Sequence, residues 1–197
     1  MSTQSHRLFT SEEYLAIERD TELKHEFYLG EIFAMGGATE PHNQITFNLA
    51  TELGALLKNR ECRAYVNDMR VKVSASGLYT YPDAVVTCEH PRFEDDQLDT
   101  LLNPQMIIEV LSDSTEKYDR GKKFAHYRRV ESLREYVLVS QDRPLVEHYA
   151  RQDDGHWLLT VANGLEATVE LPTVDCRLRL ADVYAKVEFP PEESAGA

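Results

Sequence analysis

Between Pro41 and Lys58 the apolar positions Ile45, Leu49, Leu53, Leu56 and Leu57 follow the i, i+4, i+8, i+11 spacing of one helical face, and Pro41 suits a first helical position. The pattern predicts a helix. A shorter one is expected before it, ending near Asp20, because Thr10 and Glu13 fit a capping box and Tyr14, Leu15 and Ile17 can form an apolar face. Between the two, His25–Tyr28 and Ile32–Met35 are β-prone and are separated by Leu29-Gly30-Glu31, the pattern of a hairpin running into Gly36-Gly37.

Three strands are expected next, over Arg63–Val66, Met69–Val73 and Leu78–Thr87, forming an antiparallel meander. The acidic stretch Glu89–Asp99 reads as an exposed loop. Gln105–Leu111 contains Met106-Ile107-Ile108, the unbroken apolar signature of a central strand, interrupted by Glu109. A helix over Thr115–Arg129, capped by Ser114, leads to a strand over Glu135–Ser140, and a helix between two buried strands suggests a right-handed crossover. Leu145–Tyr149, Trp157–Val161 and Ala167–Leu171 read as further antiparallel strands before a short helix near Leu180–Tyr184. The expected fold is a mixed α/β domain over residues 1–197, its ordered core spanning about 8–188 and its end, Pro190–Ala197, frayed.

With 197 residues, 42% of them hydrophobic, the chain can bury one ordinary core, which removes the disordered and collagen-like classes. No run approaches the roughly 18 apolar residues of a membrane helix, and Met1–Phe9 lacks the apolar stretch of a signal peptide, so a soluble, cytoplasmic protein with no membrane partner is expected. Cys62, Cys88 and Cys176 show no metal spacing and are expected to be reduced and packed. His25, His90, His126, His148 and His156 have no ligand spacing either, so no zinc is expected. The formal charge of -13 argues against a surface built for loose attraction to phosphates. Phosphate-binding glycine loops, serine-nucleophile elbows and nicotinamide fingerprints are absent.

Two carboxylates stand where burial is expected: Asp83, after Pro82 in a β-prone segment, and Glu109, in the most apolar strand. Buried acids on neighbouring strands repel each other unless a cation lies between them, and hard oxygen donors with open water positions suit Mg²⁺ or Mn²⁺. Either acid alone also reads more simply, Pro82-Asp83 as a turn or kink and Glu109 as the partner of a local arginine or lysine. The lysine-rich segment after Glu109 shifts the balance, since a lysine beside a metal-bound water can orient it or stabilise phosphoryl charge.

Pro82-Asp83, then Ile107-Ile108-Glu109-Val110-Leu111-Ser112, then Asp119-Arg120-Gly121-Lys122-Lys123 resembles the PD-(D/E)xK nuclease superfamily, specifically its Uma-type branch of restriction endonucleases. The resemblance covers nearly the whole chain, including a hairpin acid (Glu26, followed by Gly30-Glu31), a helix-opening histidine (His42) and a strand arginine (Arg70). It implies a restriction-endonuclease-like core, a mixed β-sheet flanked by helices with additional antiparallel strands at the C-terminal end. It also implies Mg²⁺ or Mn²⁺ held by Asp83, Glu109 and the Val110 carbonyl, DNA as substrate, a 5′-phosphate product and a homodimer for double-strand cuts. The plain pattern places a lysine two residues after Glu109, where this chain has Leu111. The branch supplies it from the following helix, four residues after an aspartate, which here is Lys123 after Asp119.

Helical phase agrees with that choice. At about 100° per residue, Gly121, Phe124 and Tyr127 define a buried side with Lys123 at its flank, while Lys122 points away. Lys117, near the helix start, is the second candidate, and an exposed ion pair with Asp119 is the plainer reading of Lys123. Glu26 is a candidate outer metal ligand or proton acceptor, or else an outward polar residue of an alternating strand. His42 could touch a phosphate or the general base, or be a helix-capping or core histidine, and Arg70, facing the side opposite Met69 and Val71 on an alternating strand, could reach the site or the substrate or be a solvated charge. A basic patch of Arg70, Lys117, Lys122, Arg128 and Arg129 could meet DNA. Two rivals to a metal-dependent DNA endonuclease stay open: a noncatalytic interaction or DNA-binding module on a nuclease fold, and a metal-dependent small-molecule phosphoesterase, which suits the acidic surface.

Overall fold

The computed structural model describes residues 7–189. Pro190–Ala197, where a frayed end was expected, lies outside the described residues. Helix α1 (Ser11–Asp20) begins with the capping box expected of Thr10 and Glu13, both reciprocal bonds being present. Its inner face buries Tyr14, Leu15 and Glu18, while Ile17 is exposed. Strands β1 (His25–Tyr28) and β2 (Glu31–Ala34) form the hairpin. Its two turn residues, Leu29 and Gly30, both have positive φ (50° and 86°), the requirement of the tight hairpin turn whose twist matches the flanking strands. Helix α2 (Glu40–Leu57) is capped by the Thr39 hydroxyl and buries the expected Ile45, Leu49, Leu53 and Leu57.

Strands β3 (Arg63–Val66), β4 (Arg70–Val73), β5 (Leu78–Thr80) and β6 (Ala84–Thr87) depart from the expected meander. The run Leu78–Thr87 is not one strand. Pro82, which has no N–H to give a ladder, interrupts it, and the halves enter different sheets: β5 pairs with β4 and β1, and β6 with β3. A short β7 (Thr100–Leu101), not foreseen, runs parallel to β4 after the acidic loop.

Strand β8 (Met106–Leu111) is buried at every position. The helical segment after it comprises α3 (Glu116–Tyr118), a π-helical turn over Asp119–Lys123 and α4 (Phe124–Tyr127); it leads to β9 (Glu135–Ser140), which pairs in parallel with β8 as a crossover requires. Strands β10 (Leu145–Arg151) and β11 (Trp157–Asn163) extend that sheet antiparallel. Strands β12 (Thr168–Leu171) and β13 (Cys176–Arg179), the latter unforeseen, form a separate pair before α5 (Leu180–Val183).

The result is a six-stranded mixed sheet, β11-β10-β9-β8-β6-β3, beside a five-stranded one, β2-β1-β5-β4-β7, flanked by helices. Alternation divides the central strand between two cores. Ile108 and Val110 pack with Ile45, Leu49 and Leu53 of α2, whereas Ile107 and Leu111 pack with Phe124 and Tyr127 of α4. Glu109 has the parity of Ile107 and therefore faces the helical segment. The cysteines correct the sequence expectation: Cys62 and Cys88 form a disulfide, and only Cys176 is free and buried. Their approach follows from register, because Arg63 opposes Thr87 and the next pair out is Cys62 with Cys88.

Candidate functional site

Asp83 owes its position to the strand break. It immediately precedes β6, whose Ala84 opposes Ile108, so Asp83 lies beside Glu109 on the neighbouring strand. Its Oδ2 accepts the Val110 N–H at 2.7 Å, and its Oδ1 lies 3.4 Å from His42 Nε2. His42 comes from the first turn of α2. Burial lowers its pKa, but Asp83 and the Val110 carbonyl outweigh that and raise it.

Glu109 is 3% exposed. Its Oε1 accepts the Tyr127 hydroxyl at 2.8 Å and lies 2.9 Å from Lys123 Nζ. Lys123, itself only 5% exposed, also lies 3.5 Å from Glu26 Oε1 and 3.5 Å from Asp119 Oδ1. Glu26 arrives from β1, its Oε1 accepting the Thr80 hydroxyl. One ammonium thus faces three carboxylates. Burial alone would lower the Lys123 pKa, yet Glu109, Glu26 and Asp119 raise it well above the usual lysine range. The acids cannot all ionise beside one cation. Burial drives the Glu109 pKa up despite Lys123, with Asp119 and Asp83 adding to the rise, and Asp119 is raised by its own burial.

These side chains meet in a cleft of about 790 Å³, whose walls include the β1–β2 hairpin, the Gly36-Gly37 segment, the start of α2 and the end of β8. Lys122 is exposed, as helical phase predicts, but so is Gly121, which the same phase places on the buried side. The π-turn explains the difference: the Phe124 N–H bonds to the Asp119 carbonyl, a widened i to i+5 turn that brings Asp119 and Lys123 inward together.

Two expectations are corrected. Lys117 is exposed and lies outside the cleft lining. Arg70 is 2% exposed and does not reach the cleft; it bonds to Thr100 Oγ1, the Tyr81 hydroxyl and Asp99. Alternation told which side of β4 it faces, not that the acidic loop and Tyr81 close over that side. Tyr81 also donates to Glu18, which bonds to the backbone and ring of His25. This buried network braces the chain just before Pro82-Asp83. From sequence, Asp119 served only as the landmark for Lys123 and Tyr127 only to mark the buried side, and neither they nor Thr80 received a site role, although Tyr127 stands one helical turn after Lys123.

The donor set fits a hard divalent cation. Asp83 and Glu109 offer carboxylate oxygens, Val110 a carbonyl, and the buried Asp119 Oδ1 lacks a hydrogen-bond partner. Among the described residues, no three His, Cys, Asp or Glu side chains form a ready cation cage.

The profile of the Uma2 family, described as "Putative restriction endonuclease", matches residues 11–181. The chain belongs to the Uma2 family. Similar proteins include two from Synechocystis sp. The protein sll1609 is 40% identical over 164 residues, covering 83% of this chain and 93% of its own length. The protein slr1290 is 38% identical over 178 residues, covering 90% and 92%. Among solved structures, "a putative nuclease belonging to DUF820" from Anabaena variabilis superposes with a TM-score of 0.70 at 20% identity, covering 88% of this chain and 96% of that one. That likeness shows the Uma2 chain to share its fold. Among the described residues, no helix is long and apolar enough to cross a membrane.

Proposed function

We propose that this Uma2 protein is a divalent-metal-dependent DNA endonuclease that hydrolyses phosphodiester bonds in the cleft. The observation that supports it most is the gathering of Glu26, Asp83, Glu109 and Asp119 around Lys123 and His42, with more carboxylates than cations. Asp83, Glu109 and the Val110 carbonyl would hold Mg²⁺ or Mn²⁺. When bound, the cation supplies positive charge for the phosphate and its leaving oxygen.

Water attacks phosphorus, the bond to the 3′ oxygen breaks, and the products carry a 3′-hydroxyl and a 5′-phosphate. Glu26, anchored through one oxygen by Thr80, accepts the proton from the attacking water. Lys123 offers its ammonium to the phosphate oxygens as charge builds on them. Asp119 and Tyr127 fix the directions of Lys123 and Glu109. His42, 3.4 Å from Asp83, would meet a phosphate oxygen. A homodimer would present two such clefts, one for each strand of a double-strand cut, and the exposed Lys117, Lys122, Arg128 and Arg129 offer phosphate contacts outside the cleft.

Purified protein should nick plasmid DNA with Mg²⁺, and Asp83→Ala and Glu109→Ala should each abolish nicking while keeping a cooperative thermal transition. Undiminished nicking by either variant would exclude this site as its source. The scarcity of free basic side chains at the cleft favours one second reading, a phosphoesterase for small substrates, which saturable hydrolysis of nucleotides without any DNA cleavage would select.

A further inference from the structure

Strand register places an aromatic ring beside the acidic cluster. In the β1–β2 ladder Phe33 directly opposes Glu26. Directly opposed residues of an antiparallel pair project to the same face, with Cβ atoms about 4.5 to 5.5 Å apart. Glu26 turns inward to Thr80 and Lys123, whereas Phe33 is 47% exposed and lines the same cleft. Among the described residues no other aromatic ring packs on it, and Met35 continues the apolar wall toward Gly36-Gly37. An exposed phenylalanine is ordinary on a surface. One fixed opposite a carboxylate of an acidic cleft has a more specific environment.

Electrostatics narrow what this wall can hold. Among the described residues lining the cleft, Lys24 and Lys123 are the only lysines or arginines, and both are engaged: Lys24 with Asp68 and the Asn67 carbonyl, Lys123 with the carboxylates. Apart from the cation at the scissile phosphate, the cleft therefore has no free lysine or arginine to hold a flanking phosphate. Stacking of a base on an aromatic face needs no charge and tolerates any base. It does require a base with a free face, which an intact duplex does not present. The cleft volume of about 790 Å³ has room for a nucleotide or two.

We propose that Phe33 is a substrate-binding platform on which one unpaired nucleobase stacks beside the scissile phosphate, so that the cleft takes single-stranded or locally opened DNA in preference to duplex. The proposal rests on the nuclease reading and adds to it the substrate class and the residue that selects it.

Fluorescence anisotropy with a labelled single-stranded oligonucleotide in Ca²⁺, alongside cleavage in Mg²⁺, tests it. Wild-type protein should bind the single strand more tightly than the duplex of the same sequence. Phe33→Ala should weaken single-strand binding about 10-fold, the scale of one lost base–aromatic stack, while Phe33→Tyr stays close to wild type. An oligomer of the same length made only of abasic nucleotides should bind wild type and Phe33→Ala equally. Unchanged single-strand affinity in a folded Phe33→Ala variant would overturn the platform, and if the variant still cleaves DNA the nuclease reading survives that failure. Phe33-dependent binding without cleavage in any metal would retain the platform and retire the nuclease. Unchanged affinity together with a shift from dimer to monomer in sedimentation would assign Phe33 to a contact between copies and overturn the proposal.

Discussion

Lys123 reaches Glu109 at 2.9 Å and both Glu26 and Asp119 at 3.5 Å, so it is the one lysine inside the acidic cluster. If its ammonium stabilises phosphoryl charge, Lys123→Ala should lower the single-turnover cleavage rate about 10²-fold or more, the scale of a lost oxyanion-type donor. Exposed Lys122 and Lys117 should give nearly wild-type rates as alanine variants, and a large loss for either would relocate the catalytic lysine. Glu109 carries the pH consequence. Its folded pKa is raised above the unfolded value, so the proton it holds in the fold stabilises at low pH, and that contribution is lost as pH rises from about 4.5 through its folded pKa near 8. His42, also raised, acts in the same direction near neutrality. In EDTA, therefore, the Tm of wild type should fall between pH 5 and pH 8 more steeply than that of Glu109→Gln, with parallel curves counting against a strained buried acid. Asp83 and Glu109 were legible because acids stood where the pattern demanded burial. Asp119 located Lys123 but received no role in the site, since an acid four residues before a lysine also describes an exposed ion pair. Arg70 was misread because alternation gives a face and is silent about what covers it.

At the level of elements, the helices and the paired strands β8 and β9 followed from periodicity, and the departures occur where the chain breaks a regular pattern. Pro82 divides one expected strand between two sheets and so delivers Asp83 to Glu109. The π-turn at Asp119–Lys123 widens the helix where a constant helical step would put Gly121 inside. Neither β7 nor β13 was foreseen, the first because two residues carry no period. The β1–β2 hairpin holds both Glu26 and Phe33, and its turn depends on Gly30. At φ +86° an added Cβ would lie 2.8 Å from Leu8 Cβ, against the segment tied down by the Phe9 N–H bond to the Gly30 carbonyl. Gly30→Ala should destabilise the protein by about 2 kcal/mol, combining backbone strain with overpacking. Chemical denaturation would measure it, and a change below about 0.5 kcal/mol, the scale of an ordinary surface substitution, would mean the hairpin relaxes freely.

Across the whole molecule, a chain of charge -13 gathers Glu26, Asp83, Glu109 and Asp119 in a cleft whose two lysines are both engaged. Composition disclosed the charge but not its placement, and it gave no sign of the Cys62–Cys88 pairing, which depends on the β3–β6 register. The same concentration of acid that repels DNA attracts a divalent cation, and binding of that cation is the step on which the nuclease reading depends. Anomalous scattering from a crystal soaked in Mn²⁺ tests it most directly. The expected result is one strong peak bonded to the carboxylates of Asp83 and Glu109, absent from the Asp83→Ala protein. A soak at saturating Mn²⁺ that leaves this position empty, with Lys123 still against Glu109 and His42 against Asp83, would contradict it.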